Sequence, residues 1–238
     1  MIYAQIMAAG VGKRMGNTKL PKQFLTLGGK PILIHTIEKF TLHNDFEKII
    51  VSAPNEWIDY TLDIIAKHEL EDERIKVIEG RKERNDTLYS AIDFIEKEYG
   101  IMNDDVLLVH DAVRPFVTKK IINDNIKMSK DYLCVNTVIP AIDTIIRGFN
   151  NEVVEIPVRD FMYQGQTPQT FNINALKKSF NLLTNEEKKS LSESCKIMHL
   201  KGYKVKMVNG DALNIKITTQ HDLRIANAII EEEYWKEN

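Results

Sequence analysis

The sequence predicts an α/β fold: a mostly parallel, Rossmann-like sheet covered by helices on both faces, with a protruding β-hairpin arm. Three observations carry that expectation. Apolar, β-rich runs at 2–8, 48–53, 75–79, 105–110 and 134–139 alternate with stretches of helical period. A glycine-rich turn directly follows the first run, and the carboxyl ends of such strands are where these sheets bind nucleotides. After residue 140 the alternation stops, and AIDTIIRGFNNEVVEIPV reads as two short strands around the turn GFNN.

The helical stretches follow in order. KPILIHTIEKFTL places Pro31 near a first-turn position and sets Ile34, Ile37 and Phe40 on one face. EWIDYTLDIIAKH and NDTLYSAIDFIEKEY behave likewise, with Leu88, Ile92 and Ile95 forming the stripe of the second. NINALKKSFNLL and NEEKKSLSESCKIMHL also read as helices, whereas YKVKMV and NIKIT read as strands. Thr219 with Asp222 makes a capping-box pattern for a final helix running through Trp235. No repeat, low-complexity segment or linker interrupts the chain. The expectation is one domain over 1–238, with 140–158 as an arm.

Composition narrows the function classes. With 238 residues, 43% hydrophobic and 28% charged, the chain is long enough for a substantial core and has a globular balance. A formal net charge of -2 argues against a general nucleic-acid or anionic-membrane binder, so affinity for an anion must be built locally. Cys134 and Cys195 form no CxxC or ligand spacing, which suits a reduced, cytoplasmic protein. MIYAQIMAAG lacks the basic start of a signal peptide, and no apolar run is long enough to enter and span a bilayer.

That local anion site is expected in MAAGVGKRMGNTKLPKQF, residues 7–24. Gly10, Gly12 and Gly16 are interleaved there with Lys13, Arg14, Lys19 and Lys22. GVGKRMG fails the GxGxxG spacing of dinucleotide sites, which disfavours an NAD-binding oxidoreductase, and no GK[ST] marks a P-loop. A glycine-rich turn after a strand still presents backbone N–H groups to phosphate oxygens. Several cations behind such a cradle suit a pentavalent phosphorus and a departing diphosphate. The alternatives are a solvated surface turn or a non-catalytic nucleotide-binding module.

EGRKERNDT (79–87) repeats the order strand, glycine, polar loop, helix. VHDAVRPF (109–116) ends an apolar strand with His110, Asp111 and Arg114, and RDFMYQGQTPQTF (159–171) and NGDALNIKITT (209–219) complete the set. With these five motifs the chain resembles, over essentially its whole length, the cytidylyltransferases that activate polyol phosphates. YQGQTPQ, NDFEKII and DERIKVIEG resemble the ribitol-5-phosphate members of teichoic-acid and capsule synthesis, while Ala8–Ala9–Gly10 matches the methylerythritol-phosphate members of isoprenoid synthesis.

The resemblance implies a single nucleotidyltransferase domain in which the phosphate of D-ribitol 5-phosphate attacks the α-phosphorus of CTP in line. CDP-ribitol and diphosphate result; 2-C-methyl-D-erythritol 4-phosphate is the alternative acceptor. No covalent intermediate is needed, so positioning and charge stabilisation carry the rate. The resemblance implies catalytic roles for Arg14, Lys22, Arg159 and Lys216. It implies contacts to CTP from Met7, Ala8, Ala9, Gly10, Gly12, Gly80, Arg84, Asn85, Asp86 and Thr87. Thr144, Arg159 and Lys216 would hold the polyol phosphate, with Gln166 and Thr167 shaping the pocket. Asp111 would bind Mg²⁺, with Asp211 as a second acidic ligand, and His110 would be structural. The arm is too short and apolar to stand alone in water: either it folds back on its own sheet or, as the resemblance implies, it pairs across a two-fold axis in a homodimer.

Overall fold

The computed structural model describes residues 1–10, 15–16, 20–81, 83–191 and 193–232. Along the chain these form β1 (Ile2–Met7), β2 (Thr26–Leu27), β3 (Lys30–Pro31), α1 (Ile32–Thr41), β4 (Lys48–Ala53), α2 (Ile58–Lys67), β5 (Ile75–Glu79) and α3 (Arg84–Tyr99). Next come β6 (Val106–Asp111), α4 (Lys119–Met128), β7 (Cys134–Pro140), β8 (Arg147–Phe149), β9 (Glu152–Glu155) and β10 (Tyr163–Asn172). The chain continues through α5 (Ile173–Asn181), α6 (Asn185–Lys189), α7 (Cys195–Leu200), β11 (Lys206–Asn209) and α8 (Gln220–Glu231).

Seven strands make one sheet in the order β11-β7-β10-β6-β1-β4-β5. All run parallel except β10, which is antiparallel to both β6 and β7. The central strands are apolar on both faces because both faces are covered. On one, Ala4, Ile6, Ile49, Val51 and Leu108 pack against α1, α2 and α4 through Ile34, Ile37, Phe40, Ile64 and Ile122. On the other, Tyr3, Ile50, Leu107 and Val109 meet α3, α5 and α7 through Leu88, Ile92, Ile95, Leu176 and Met198. Burial of each such side chain contributes roughly 1.5–3 kcal/mol, which makes these two layers the main stabilising contacts.

The first half therefore follows the expected alternation, and the capping box at Thr219 and Asp222 is formed at the start of α8. Several elements differ. NIKIT (214–218) joins no ladder. Its alternation is real, with Ile215 and Ile217 against the cluster around Val113 and Phe116. Its polar groups, however, are spent crosswise: the Asn214 amide donates to the Thr167 carbonyl, and Ile217 N–H donates to Val113.

The single helix expected over 185–200 is two. Ser190 folds its hydroxyl onto the Glu187 carbonyl at the end of α6, and Ser194 uses its hydroxyl on Arg84 and Asn85 rather than in a helix. α4 carries a Thr118 N-cap and gives no motif of its own. β10 is hidden by its own composition: Gly, Gln, Thr and Pro dominate YQGQTPQT, and its pairing with β7 shifts register between Gly165 and Gln169. The expected end of α8 at Trp235 lies outside the described residues.

The arm is present as a two-stranded β8–β9 hairpin. Asn150 and Asn151 at its turn have φ of 50° and 63°, as in the tight turns that suit strand twist. It does not fold back on the sheet: every residue of β8 and β9 is exposed. Ile142 and Phe161 beside it stand 77% and 76% exposed.

Candidate active site

The cleft lies beyond the carboxyl ends of β1, β4, β5 and β6. One lobe is lined by Met7, Ala8, Ala9, Gly10, Lys22 and Gln23 on one side, and by Arg84, Thr87, Asp111 and Lys216 on the other. Two strand-to-loop turns meet here, and small residues let them approach. A Cβ on Gly80 would come 2.4 Å from the Ala9 Cβ and 3.1 Å from Thr87 Cγ2, so glycine is required by contact rather than by backbone angle. Gly80 N–H donates to Ala53, Thr87 Oγ1 donates to the Arg81 carbonyl at 2.7 Å, and Gln5 Nε2 donates to the Thr87 carbonyl at 2.7 Å. These bonds pin the amino end of α3 to the sheet. Across the lobe, buried Gln23 donates through Nε2 to the Ala8 carbonyl at 2.5 Å. That bond ties the short turn Lys22–Phe24, preset by Pro21, to the β1 loop.

Asp111 is the electrostatic centre. It ends β6, and Lys216 Nζ lies 2.9 Å from its carboxylate, Arg114 Nε 3.6 Å and Arg84 3.7 Å. Burial would raise its pKa; the Arg84, Lys216 and Arg114 charges overturn that and hold the carboxyl well below the usual carboxylate range. Three cations drawn from α3, the β6 turn and the 211–219 segment thus converge on one carboxylate at a strand end.

A buried chain of hydrogen bonds sets the arrangement. Asp111 N–H donates to Thr167 Oγ1 at 3.1 Å, and Thr167 Oγ1 lies 3.0 Å from His110 Nδ1. His110 Nε2 lies 3.0 Å from the Arg114 carbonyl. A carbonyl only accepts, so Nε2 carries the proton and Nδ1 accepts from Thr167. Arg114 then donates to the Asn214 carbonyl at 2.6 Å, and Asn214 Nδ2 donates to the Thr167 carbonyl at 2.9 Å. Together these bonds join β6, β10 and the segment that carries Lys216.

His110 is fully buried; burial pushes its pKa down to about 4, against backbone and Asp111 contributions. Unfolding restores a value near 6.5, so between about pH 4 and 6.5 the unfolded chain binds the extra proton and stability rises with pH. Urea unfolding should show stability falling by roughly 3 kcal/mol from this residue as pH drops from 7 to 4. His35 and His43, also lowered by burial, add in the same direction. His110→Gln should flatten part of that dependence; an unchanged pH profile would mean that the fold does not disfavour protonation of His110.

Of the expected site residues, the structure brings Met7, Ala8, Ala9, Gly10, Lys22, Arg84, Thr87, Asp111 and Lys216 to one lobe. Gly80 packs beneath it, and Asn85 and Asp86 sit on the first turn of α3, where Asn85 accepts from Ser194. Gly12 and Arg14 lie outside the described residues. Asp211 is not among the lining residues; its carboxylate accepts from Leu213 N–H at 2.7 Å. Thr144 and Arg159 are exposed and not among the residues lining this chain's own cleft, Arg159 touching the Ile142 carbonyl at 3.3 Å.

A second, polar lobe shares Arg84, Asp111 and Lys216 with the first and adds Arg114, Gln166, Thr167, Gln169 and Glu193. Gln169 closes the YQGQTPQ motif with no role read for it and Glu193 carried no sequence signal; the antiparallel seating of β10 places Gln169 where it meets Glu193 in the cleft.

A cleft with clustered cations at the strand ends of a mostly parallel sheet is an arrangement that suits a nucleotidyltransferase. The 2-C-methyl-D-erythritol 4-phosphate cytidylyltransferase (IspD) family matches residues 2–232, and the chain belongs to it. A ribitol-5-phosphate cytidylyltransferase from Lactiplantibacillus plantarum is 56% identical over 232 residues, covering 98% of this chain and 99% of that one. The Francisella tularensis 2-C-methyl-D-erythritol 4-phosphate cytidylyltransferase structure is 30% identical with TM-score 0.78, over 95% of this chain and 98% of that one. The 4-diphosphocytidyl-2C-methyl-D-erythritol synthase of Anaerococcus prevotii is 26% identical with TM-score 0.81, over 97% and 96%.

Proposed function

We propose that the chain transfers the cytidylyl group of CTP to D-ribitol 5-phosphate, releasing diphosphate and making CDP-ribitol for teichoic-acid or capsule synthesis in the cytoplasm. The observation that carries the reading is the convergence of Lys216, Arg84 and Arg114 on Asp111 beside the Gly10 and Gly80 turns. The 56% identity to a ribitol-5-phosphate enzyme supports the choice of acceptor.

In this reading the β1 loop and the amino end of α3 hold CTP, with Gly80, Arg84, Asn85, Asp86 and Thr87 around the base. Backbone carbonyls of such a loop can accept from the exocyclic amine of cytosine and so reject uracil. The acceptor phosphate is already ionised at neutral pH and needs no general base. Lys22, Arg14 and Lys216 offset charge as the phosphorus becomes five-coordinate, and two anions can share the cleft only because cations surround them. Arg159 and Thr144 of a second copy, brought by the exposed arm, complete the acceptor site in a homodimer.

The donor set suits Mg²⁺. One ionised carboxylate on the cleft wall, Asp111, is a hard oxygen ligand of the kind Mg²⁺ takes, and it would hold the ion there together with nucleotide phosphate. Bound there, the ion would neutralise phosphate charge. Among the described residues no group of three or more His, Cys, Asp or Glu side chains forms a cage.

The test is a panel of polyol phosphates with CTP and Mg²⁺, read by diphosphate release. Ribitol 5-phosphate is expected to give the highest kcat/KM by a wide margin. Equal or better turnover of 2-C-methyl-D-erythritol 4-phosphate would overturn the acceptor and leave the chemistry standing.

A further inference from the structure

We propose that Glu193 selects the acceptor by binding the hydroxyl tail of an acyclic polyol phosphate, an inference that rests on reading the cleft as a polyol-phosphate cytidylyltransferase site. The polar lobe is asymmetric. At one end Arg84, Arg114 and Lys216 crowd Asp111. Glu193 brings a second carboxylate to the same lobe, and among the described residues no cation pairs with it. It is held instead by Gln169, whose Nε2 donates to Glu193 Oε2 at 3.1 Å and to Asn136 Oδ1 at 3.0 Å. The backbone makes room for it: a Cβ on Gly165 would sit 3.2 Å from Oε2. Gln169 is 2% exposed, and its Oε1 has no partner among the described residues.

These features orient a ligand. A phosphate dianion is drawn to Lys216 and Arg114 and repelled by Glu193, so it enters phosphate-first toward those two cations and leaves its carbon chain toward Glu193. The Glu193 carboxylate there is an acceptor, and a chain of hydroxyls supplies donors. A tail too short to reach, or one with a methyl where a hydroxyl is needed, leaves the carboxylate desolvated and unpaired. Discrimination of that kind is large, because a site built to hydrogen-bond a hydroxyl rejects the analogue lacking it.

The experiment compares wild type with Glu193→Ala and Glu193→Gln. It reads kcat/KM for ribitol 5-phosphate, the KM for CTP, and the inhibition constant of glycerol 3-phosphate, which shares the phosphate but has a shorter tail. Glu193→Ala is expected to lower kcat/KM for ribitol 5-phosphate about tenfold to hundredfold through KM. The CTP KM and the glycerol 3-phosphate constant should stay within about twofold. Glu193→Gln, which keeps the shape and one acceptor oxygen, should lie between and covers the case in which the alanine variant folds poorly. Parallel losses for all three ligands would reduce Glu193 to a structural role, and an unchanged ribitol 5-phosphate value would exclude it; either overturns the proposal. If wild type prefers another polyol phosphate, the functional reading fails, while the same ratio taken with that acceptor still decides the role of Glu193. Transfer to no polyol phosphate at all would sink both.

Discussion

Lys22→Ala is expected to lower kcat by a factor of about 10²–10³ while changing the Kd for CTP only slightly. Lys22 lines the cleft at the start of a three-residue turn. The neighbouring Gln23 is buried and bonded to the Ala8 carbonyl, so the turn moves with the β1 loop. A cation held there by its backbone costs no reorganisation when charge develops on the transferring phosphorus. Ground-state CTP can lose one of several cations at little cost, whereas the five-coordinate state cannot. Isothermal titration for CTP and steady-state turnover for the variant separate the two effects. Poor CTP binding with normal turnover at saturation would make Lys22 a binding residue only.

The second large effect concerns two copies of the chain. Arg159→Ala and Lys22→Ala homodimers are each expected to be nearly inactive, and exchange of equal amounts should restore about a quarter of wild-type activity per site. The physical ground is the arm. β8 and β9 are exposed throughout, Phe149 is 71% exposed, and Val153, Val154, Ile156 and Val158 are exposed as well. A hairpin of that size has marginal stability in water, and a two-fold partner would cover both apolar faces at once. Arg159 follows the arm directly and faces solvent in its own chain, so in the proposed dimer its fork would serve a neighbour's cleft while Lys22 serves its own. After random exchange half the dimers are mixed. Each mixed dimer has one site with both residues intact and one with neither, which sets the quarter. No recovery, once exchange is verified by native mass spectrometry, would place both residues in the same chain's site.

The order of strands and helices in the first half was determined by local sequence, because fully buried parallel strands must be continuously apolar and their covering helices must carry a stripe. Ile49–Val51 and Leu107–Val109 could hardly be anything else. The hairpin turn at Asn150 and Asn151 and the cap at Thr219 were equally local, each depending on a few neighbouring residues. The close packing of Gly80 against Ala9 and Thr87 was legible because close approach leaves its mark on residue type. So was Asp111, an acid closing an apolar run.

Tertiary structure alone decided the rest. β10 became a strand because β6 and β7 present free edges on either side of it, although its own residues favour a loop. NIKIT stayed out of the sheet because Asn214 and Ile217 found partners in Thr167 and Val113 instead. That choice delivers Lys216 to Asp111. Gln169 and Glu193 meet for the same reason, since a contact between residues twenty-four positions apart follows from which strand pairs with which and leaves no trace in either local sequence.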